Sequence, residues 1–134
     1  MNILLKSAKI VSPENKALHL KKRDILIKNG VIDKIAASIP SSRNIKEFKS
    51  KNLHVSIGWF DSSVSFGEPG YEERETISNG LKVAAASGFT DVLLNPNTKP
   101  VPDTSSDIVF LKERSNGAAS NLYPIGSLTA NAEG

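Results

Sequence analysis

From Gly58 onward the sequence alternates between two rhythms, and that alternation limits what the chain can fold into. Gly58–Val64 and Phe89–Leu94 are strand-length runs, while Glu75–Ser87 sets Ile77, Leu81, Ala84 and Ala85 at helical spacing. Gly88 stands where a left-handed C-cap belongs. Thr104-Ser105-Ser106-Asp107 has capping-box spacing, with Asp in the place usual for Glu. It opens a helix carrying Ile108, Leu111 and Lys112, closed by Gly117. Leu122–Leu128 reads as a third strand, although it contains Pro124. The order β-α-β-α-β predicts a parallel sheet with right-handed crossovers.

The first 55 residues have a different rhythm. Ile3–Leu5, Ala8–Val11, Asp24–Lys28 and Val31–Ile35 are short β-type runs, and Ile45–Phe48 and Leu53–Val55 add two more. Asn29-Gly30 separates two of them, and both residues tolerate positive φ, so a tight hairpin is expected there. His19, between Leu18 and Leu20, reads as a strand residue of this layer, and His54 as a structural residue just ahead of the next strand. Roughly 80 residues follow Val55, whereas eight βα units need about 250. The chain is therefore expected to be the N-terminal part of a longer protein, or to be completed by another chain.

Composition narrows the function classes. With no cysteine, a disulfide framework, a thiol nucleophile and a thiolate metal site are all excluded. Apolar runs fall short of the roughly 20 residues that span a bilayer, and Lys6 interrupts any signal-like start, which predicts a cytoplasmic protein without membrane contact. The net charge of +3 hides a basic half, +7 over residues 1–50, and an acidic remainder of −4. Lys21-Lys22-Arg23 has no interleaved aromatics, so no nucleic-acid partner is expected.

The chemistry is expected at the end of the first strand after Val55, because α/β folds place sites at the carboxyl ends of strands. There, alternation would turn Asp61, Ser63 and Ser65 to one side, bringing a carboxylate and two hydroxyls together. Serine hydroxyls are poor metal ligands, and zinc prefers imidazole, thiolate and carboxylate. The only histidines, His19 and His54, lie outside this segment, so no Ser/His pair can be assembled from it. Asn95-Pro96-Asn97 closes the second strand; its carboxamides would suit an amide or carboxylate ligand, but on sequence chemistry alone the segment reads as an Asn/Pro turn.

Several stretches together resemble dihydroorotases of the amidohydrolase superfamily. They are Asn52–Asp61, Phe66-Gly67-Glu68-Pro69-Gly70, Gly80–Phe89, Pro96–Pro100 and Tyr123–Thr129, with the early hairpin Asp24–Ile35. The resemblance covers the whole chain but about the first third of such a protein. It implies an α/β fold: a small N-terminal β-sandwich-type layer over 1–55, then the first βαβαβ portion of a TIM-type barrel over 56–134, an incomplete barrel. It also implies hydrolysis of cyclic amides in pyrimidine biosynthesis, with zinc as the family's metal.

The departures fall on the site. Ser63 and Ser65 stand where the family has the two histidines of its His-x-His zinc motif, and Gly67 where it has a carboxylate-binding arginine. Asp61 and the substrate-contacting Asn97 are retained. No cofactor is therefore expected on this chain, and a small-molecule substrate is doubtful. The expected role is a non-catalytic dihydroorotase-like protein, a homo-oligomer at full length, serving as a structural partner of aspartate carbamoyltransferase. The alternatives are an active dihydroorotase-, allantoinase- or dihydropyrimidinase-type hydrolase with ligands outside this segment, and a plain binding module whose charge asymmetry marks an interface. Histidines restored at 63 and 65, with arginine at 67, are expected to rebuild metal and carboxylate binding in the full-length protein.

Overall fold

The computed structural model describes all of residues 1–134. They divide into two compact units, Met1–Ile57 and Gly58–Gly134.

The first unit is built on the hairpin of β2 (Lys22–Lys28) and β3 (Val31–Ala36). Asn29 and Gly30 have φ of 51° and 81°, and Lys28 pairs with Val31, the geometry of a two-residue primed turn. β1 (Asn2–Val11) lies antiparallel to β2. On its other side β4 (Ile45–Lys49) and β5 (His54–Ser56) pair with it in parallel, one after the other. The result is one mixed five-stranded sheet. Residues 1–57 thus form a single β layer.

The runs Ile3–Leu5 and Ala8–Val11 are one strand, broken by a bulge at Lys6-Ser7, where Ser7 has φ of 53°. Ala8, Ile10 and Ile25 form one buried cluster of this unit, while Leu4 and Leu26 pack with Ile39 in another. At the bulge Asp24 is 2% exposed and accepts from Lys6 Nζ at 2.5 Å, Ser7 N at 2.8 Å and Ile39 N at 2.9 Å. His19 lies in the turn between β1 and β2, not in a strand. Its Nδ1 accepts from Ser12 N at 3.2 Å, so the ring closes the turn.

In the second unit β6 (Trp59–Val64), β7 (Phe89–Leu94) and β8 (Asn121–Pro124) form a parallel sheet in that order. The helices α1 (Ile77–Ala86) and α2 (Ser105–Arg114) connect them. Thr76 caps α1 by accepting from Asn79 N, and Gly88 takes φ of 94° after it. The capping box forms as the spacing predicts: Thr104 N donates to Asp107 Oδ2, and Asp107 N to Thr104 Oγ1. Ile77 and Leu81 of α1, Val92 and Leu94 of β7, Leu111 of α2 and Leu122 of β8 make the core. β8 stops at Pro124, short of the expected Leu128: Ile125 N still reaches Leu94 O, but Ser127 N turns to Pro102 O. Leu128 is fully exposed.

Candidate functional site

The site sits where β6 and β7 end side by side. Asp61 pairs with Val92 and Val64 with Leu94, so two residues of β6, Ser62 and Ser63, oppose one of β7. This bulge breaks the period-two alternation. Asp61 therefore shares the side of Val92, and its Oδ1 accepts from Ser63 N at 3.0 Å. The expected convergence of Asp61 with both hydroxyls does not occur, because an extra residue shifts the face.

Ser63 and Ser65 remain together on the other side of the sheet, each facing a carboxamide from the end of β7. Asn95 Nδ2 donates to Ser63 Oγ at 3.0 Å. Asn97 Nδ2 donates to Ser65 Oγ. The backbone continues the tie, with Asn95 N donating to Val64 O at 2.9 Å and Lys99 N to Pro69 O at 3.1 Å. Asn97 is thus engaged within the chain, and Asn95 belongs to the same cluster. These contacts span 32 residues and carry no short-range sequence signal.

Gly67 has no room for a side chain. A Cβ there would stand 1.7 Å from the Tyr71 carbonyl oxygen and 3.2 Å from Arg74 Cβ. The loop closes on itself: Gly67 N donates to Glu75 O, and Tyr71 N to Gly67 O, both at 2.8 Å. A side chain at 67 would therefore require the Tyr71 carbonyl to shift. Next to it Glu68, 4% exposed, accepts from Ile77 N at 2.9 Å and from Arg114 Nε at 2.6 Å. Its carboxylate holds α1 and α2 to the strand end. This pairing spans 46 residues and carries no short-range sequence signal.

Below the strand ends, Phe60, Asp91, Leu93 and Tyr123 line a groove on the sheet. Asp91 accepts from Thr90 Oγ1 at 2.6 Å, Asn121 Nδ2 at 2.9 Å and Tyr123 Oη at 3.1 Å. These bonds, Thr90's first, hold the Asp91 carboxyl below the usual range. The bond to Asp91, and then its charge, push the Tyr123 phenol up.

Zinc needs imidazole, thiolate or carboxylate donors. The strand end offers uncharged hydroxyls and carboxamides already bonded to one another, and the nearby carboxylates of Asp61 and Glu68 are bonded to backbone amides. No group of three or more His, Cys, Asp or Glu side chains is placed to hold an ion. These residues do not fit the metal. No helix is long and apolar enough to cross a membrane.

Comparison with known proteins locates the chain among its relatives. A family model described as dihydro-orotase-like matches residues 54–134. A dihydroorotase of Pelotomaculum thermopropionicum is 35% identical over 134 residues, covering all of this chain and 31% of that protein. A dihydroorotase of Geobacter metallireducens is 32% identical, with the same coverage. The chain thus spans about 31% of the length of the curated relatives it matches. Among solved structures, an L-hydantoinase (dihydropyrimidinase) from Arthrobacter aurescens superposes on 93% of this chain and 27% of its own, with a TM-score of 0.77 at 20% identity. A dihydroorotase crystal structure covers 97% of this chain and 32% of its own, with a TM-score of 0.66 at 15% identity. The structural likenesses carry the fold, and the family match over the second unit carries the membership: this chain belongs to the dihydroorotase-like family.

Proposed function

We propose that this segment is the opening part of a dihydroorotase-like barrel, with residues 1–55 as its β region and 56–134 as the start of an incomplete barrel. The protein that carries it belongs to pyrimidine biosynthesis and does not hydrolyse cyclic amides. One observation supports this above the rest: Ser63 and Ser65 hold the positions of the family's histidine pair, and their hydroxyls are bonded to the carboxamides of Asn95 and Asn97. A hydroxyl at neutral pH is a weak donor to zinc, and without a metal no water at this strand end is activated. Gly67 adds to the reading, because no guanidinium is present to grip a substrate carboxylate in bidentate fashion.

The test is direct. The purified protein is loaded with zinc, dialysed, and assayed for metal content and for the interconversion of dihydroorotate and carbamoyl-aspartate. Trace metal and no turnover are expected. Near-stoichiometric zinc with turnover lost on chelation overturns the reading in favour of an active hydrolase with ligands outside this segment. The remaining role is structural, beside aspartate carbamoyltransferase, and co-purification of the full-length protein with that enzyme checks it.

A further inference from the structure

The sequence contains three Asn-Gly pairs, at 29–30, 79–80 and 116–117, and the fold gives each a different setting. Asn before Gly is the dipeptide most open to attack on its own carboxamide, because no Cβ shields the Gly nitrogen. Asn79-Gly80 is closed to that attack. It lies inside α1, where Gly80 N donates to Thr76 O and Asn79 Nδ2 to Glu75 Oε1, both at 2.9 Å, and Gly80 is buried against the Phe66 ring. Asn29-Gly30 is exposed, but the β2–β3 ladder holds it on both sides and fixes both residues at positive φ. Asn116-Gly117 is exposed just past α2, in a turn closed by Ala118 N donating to Ser115 O at 3.1 Å, and Gly117 N donates to no acceptor within the chain. The pair forms the shared rim of two grooves of about 440 and 390 Å3, so water reaches it from both sides. Lys112 lines one groove, and Lys82 and Arg114 line the other. Arg114 is already held by Glu68, which leaves the two lysines as the uncommitted positive charges beside the turn.

We propose that Asn116 is a site of self-catalysed deamidation. Gly117 N attacks Asn116 Cγ as it loses its proton; the N–Cγ bond forms, the Cγ–Nδ2 bond breaks, and the Nδ2 group leaves with that proton as ammonia. Solvent water then opens the cyclic imide at either carbonyl, giving aspartate or its β-linked isomer. The sum is asparagine and water to a carboxylic acid and ammonia. Negative charge develops on the attacking nitrogen and the Cγ oxygen and remains on the product carboxylate, and the grooves set Lys82 and Lys112 on the side that favours it. The product places that charge one residue past the C-cap Ser115, where the helix dipole of α2 disfavours a carboxylate. No group of the β6 and β7 ends takes part, so the reaction is independent of the function proposed for them.

Incubation of the 134-residue chain at neutral pH, followed by tryptic digestion and mass spectrometry, tests this. Lys28, Lys34, Arg74, Lys82 and Arg114 put the three pairs in separate peptides. In the folded chain Asn116 should react first, at least about tenfold faster than Asn79, whose attack requires two hydrogen bonds to open. Asn29 should fall between them. In urea the three rates should converge, because their settings are gone. Lys82→Gln with Lys112→Gln should slow Asn116 about twofold to fivefold in the folded chain, as expected for exposed charges, and leave its rate in urea unchanged. Asn29 or Asn79 reacting first in the folded chain overturns the proposal, and so does an Asn116 rate equal to that of Asn79. An unchanged folded-chain rate in the lysine variant overturns the part given to the grooves.

Discussion

Arg114 Nε and Glu68 Oε1 meet at 2.6 Å, but the two side chains are not equally placed: Glu68 is 5% exposed and Arg114 52%. The ion pair is therefore buried on one side only. Glu68 also accepts from Ile77 N, and Ile77 is fully buried. Glu68→Ala should cost about 2–3 kcal/mol, since it strands a buried amide and loses a charge-assisted bond. Arg114→Ala should cost about 1 kcal/mol or less, in keeping with an exposed partner. Chemical denaturation of the two variants reads the difference, and equal losses would mean that the amide of Ile77 finds another acceptor.

Asp24 gives the first unit a pH dependence. Burial pushes its carboxyl up, but the bonds from Lys6, Ser7 and Ile39 more than offset that, and the group sits below its ordinary value. A carboxyl lowered in the folded state contributes stability above its unfolded value of about 3.9, and that contribution is lost as pH falls below it. Asp24→Asn should cost about 3 kcal/mol at pH 7, because Lys6 loses its partner in a site that is only slightly exposed. The cost should shrink as the parent is taken below pH ~4. Urea midpoints of parent and variant across pH 2–7 check this, and a difference that does not change with pH would contradict it.

Gly67 resists replacement. Because a Cβ there meets backbone at 1.7 Å, Gly67→Ala should destabilise by about 1–3 kcal/mol, as overpacking does. Gly67→Arg should lose at least as much and gain no affinity for a dicarboxylate. Thermal unfolding with calorimetric titration of a dicarboxylate measures both. A stable Gly67→Arg variant that binds the dicarboxylate would show that the loop opens.

Tyr123 should ionise above the ordinary phenol value of about 10 in an ultraviolet titration, because Asp91 accepts its proton and repels its charge. The bond holds the neutral phenol, so its contribution is present below that value and disappears as pH rises through the folded one. Asp91→Asn should bring the titration back toward ordinary behaviour. A Tyr71→Phe background isolates the signal, since the chain has two tyrosines. No change on Asp91→Asn would remove the assignment.

The sequence by itself determined the local elements. Asn29-Gly30, the Thr104/Asp107 box and Gly88 act within a few residues through backbone geometry and short-range bonding, so the turn, the helix start and the helix end were legible where they occur. The repeat of apolar positions likewise marked Ile77, Leu81 and Leu111 as core. Only the tertiary structure decided the rest, because it turns on register and on partners far apart in the chain. A single bulge in β6 moved Asp61 off the face of Ser63 and Ser65. Strand pairing, not local pattern, set Asn95 and Asn97 against those serines across 32 residues. Whether Gly67 was an empty place or a filled one depended on the Tyr71 carbonyl, which no periodicity reveals. Local rules fix each residue's conformation, whereas the chemistry at a strand end depends on which side chains the packed sheet brings within bonding distance.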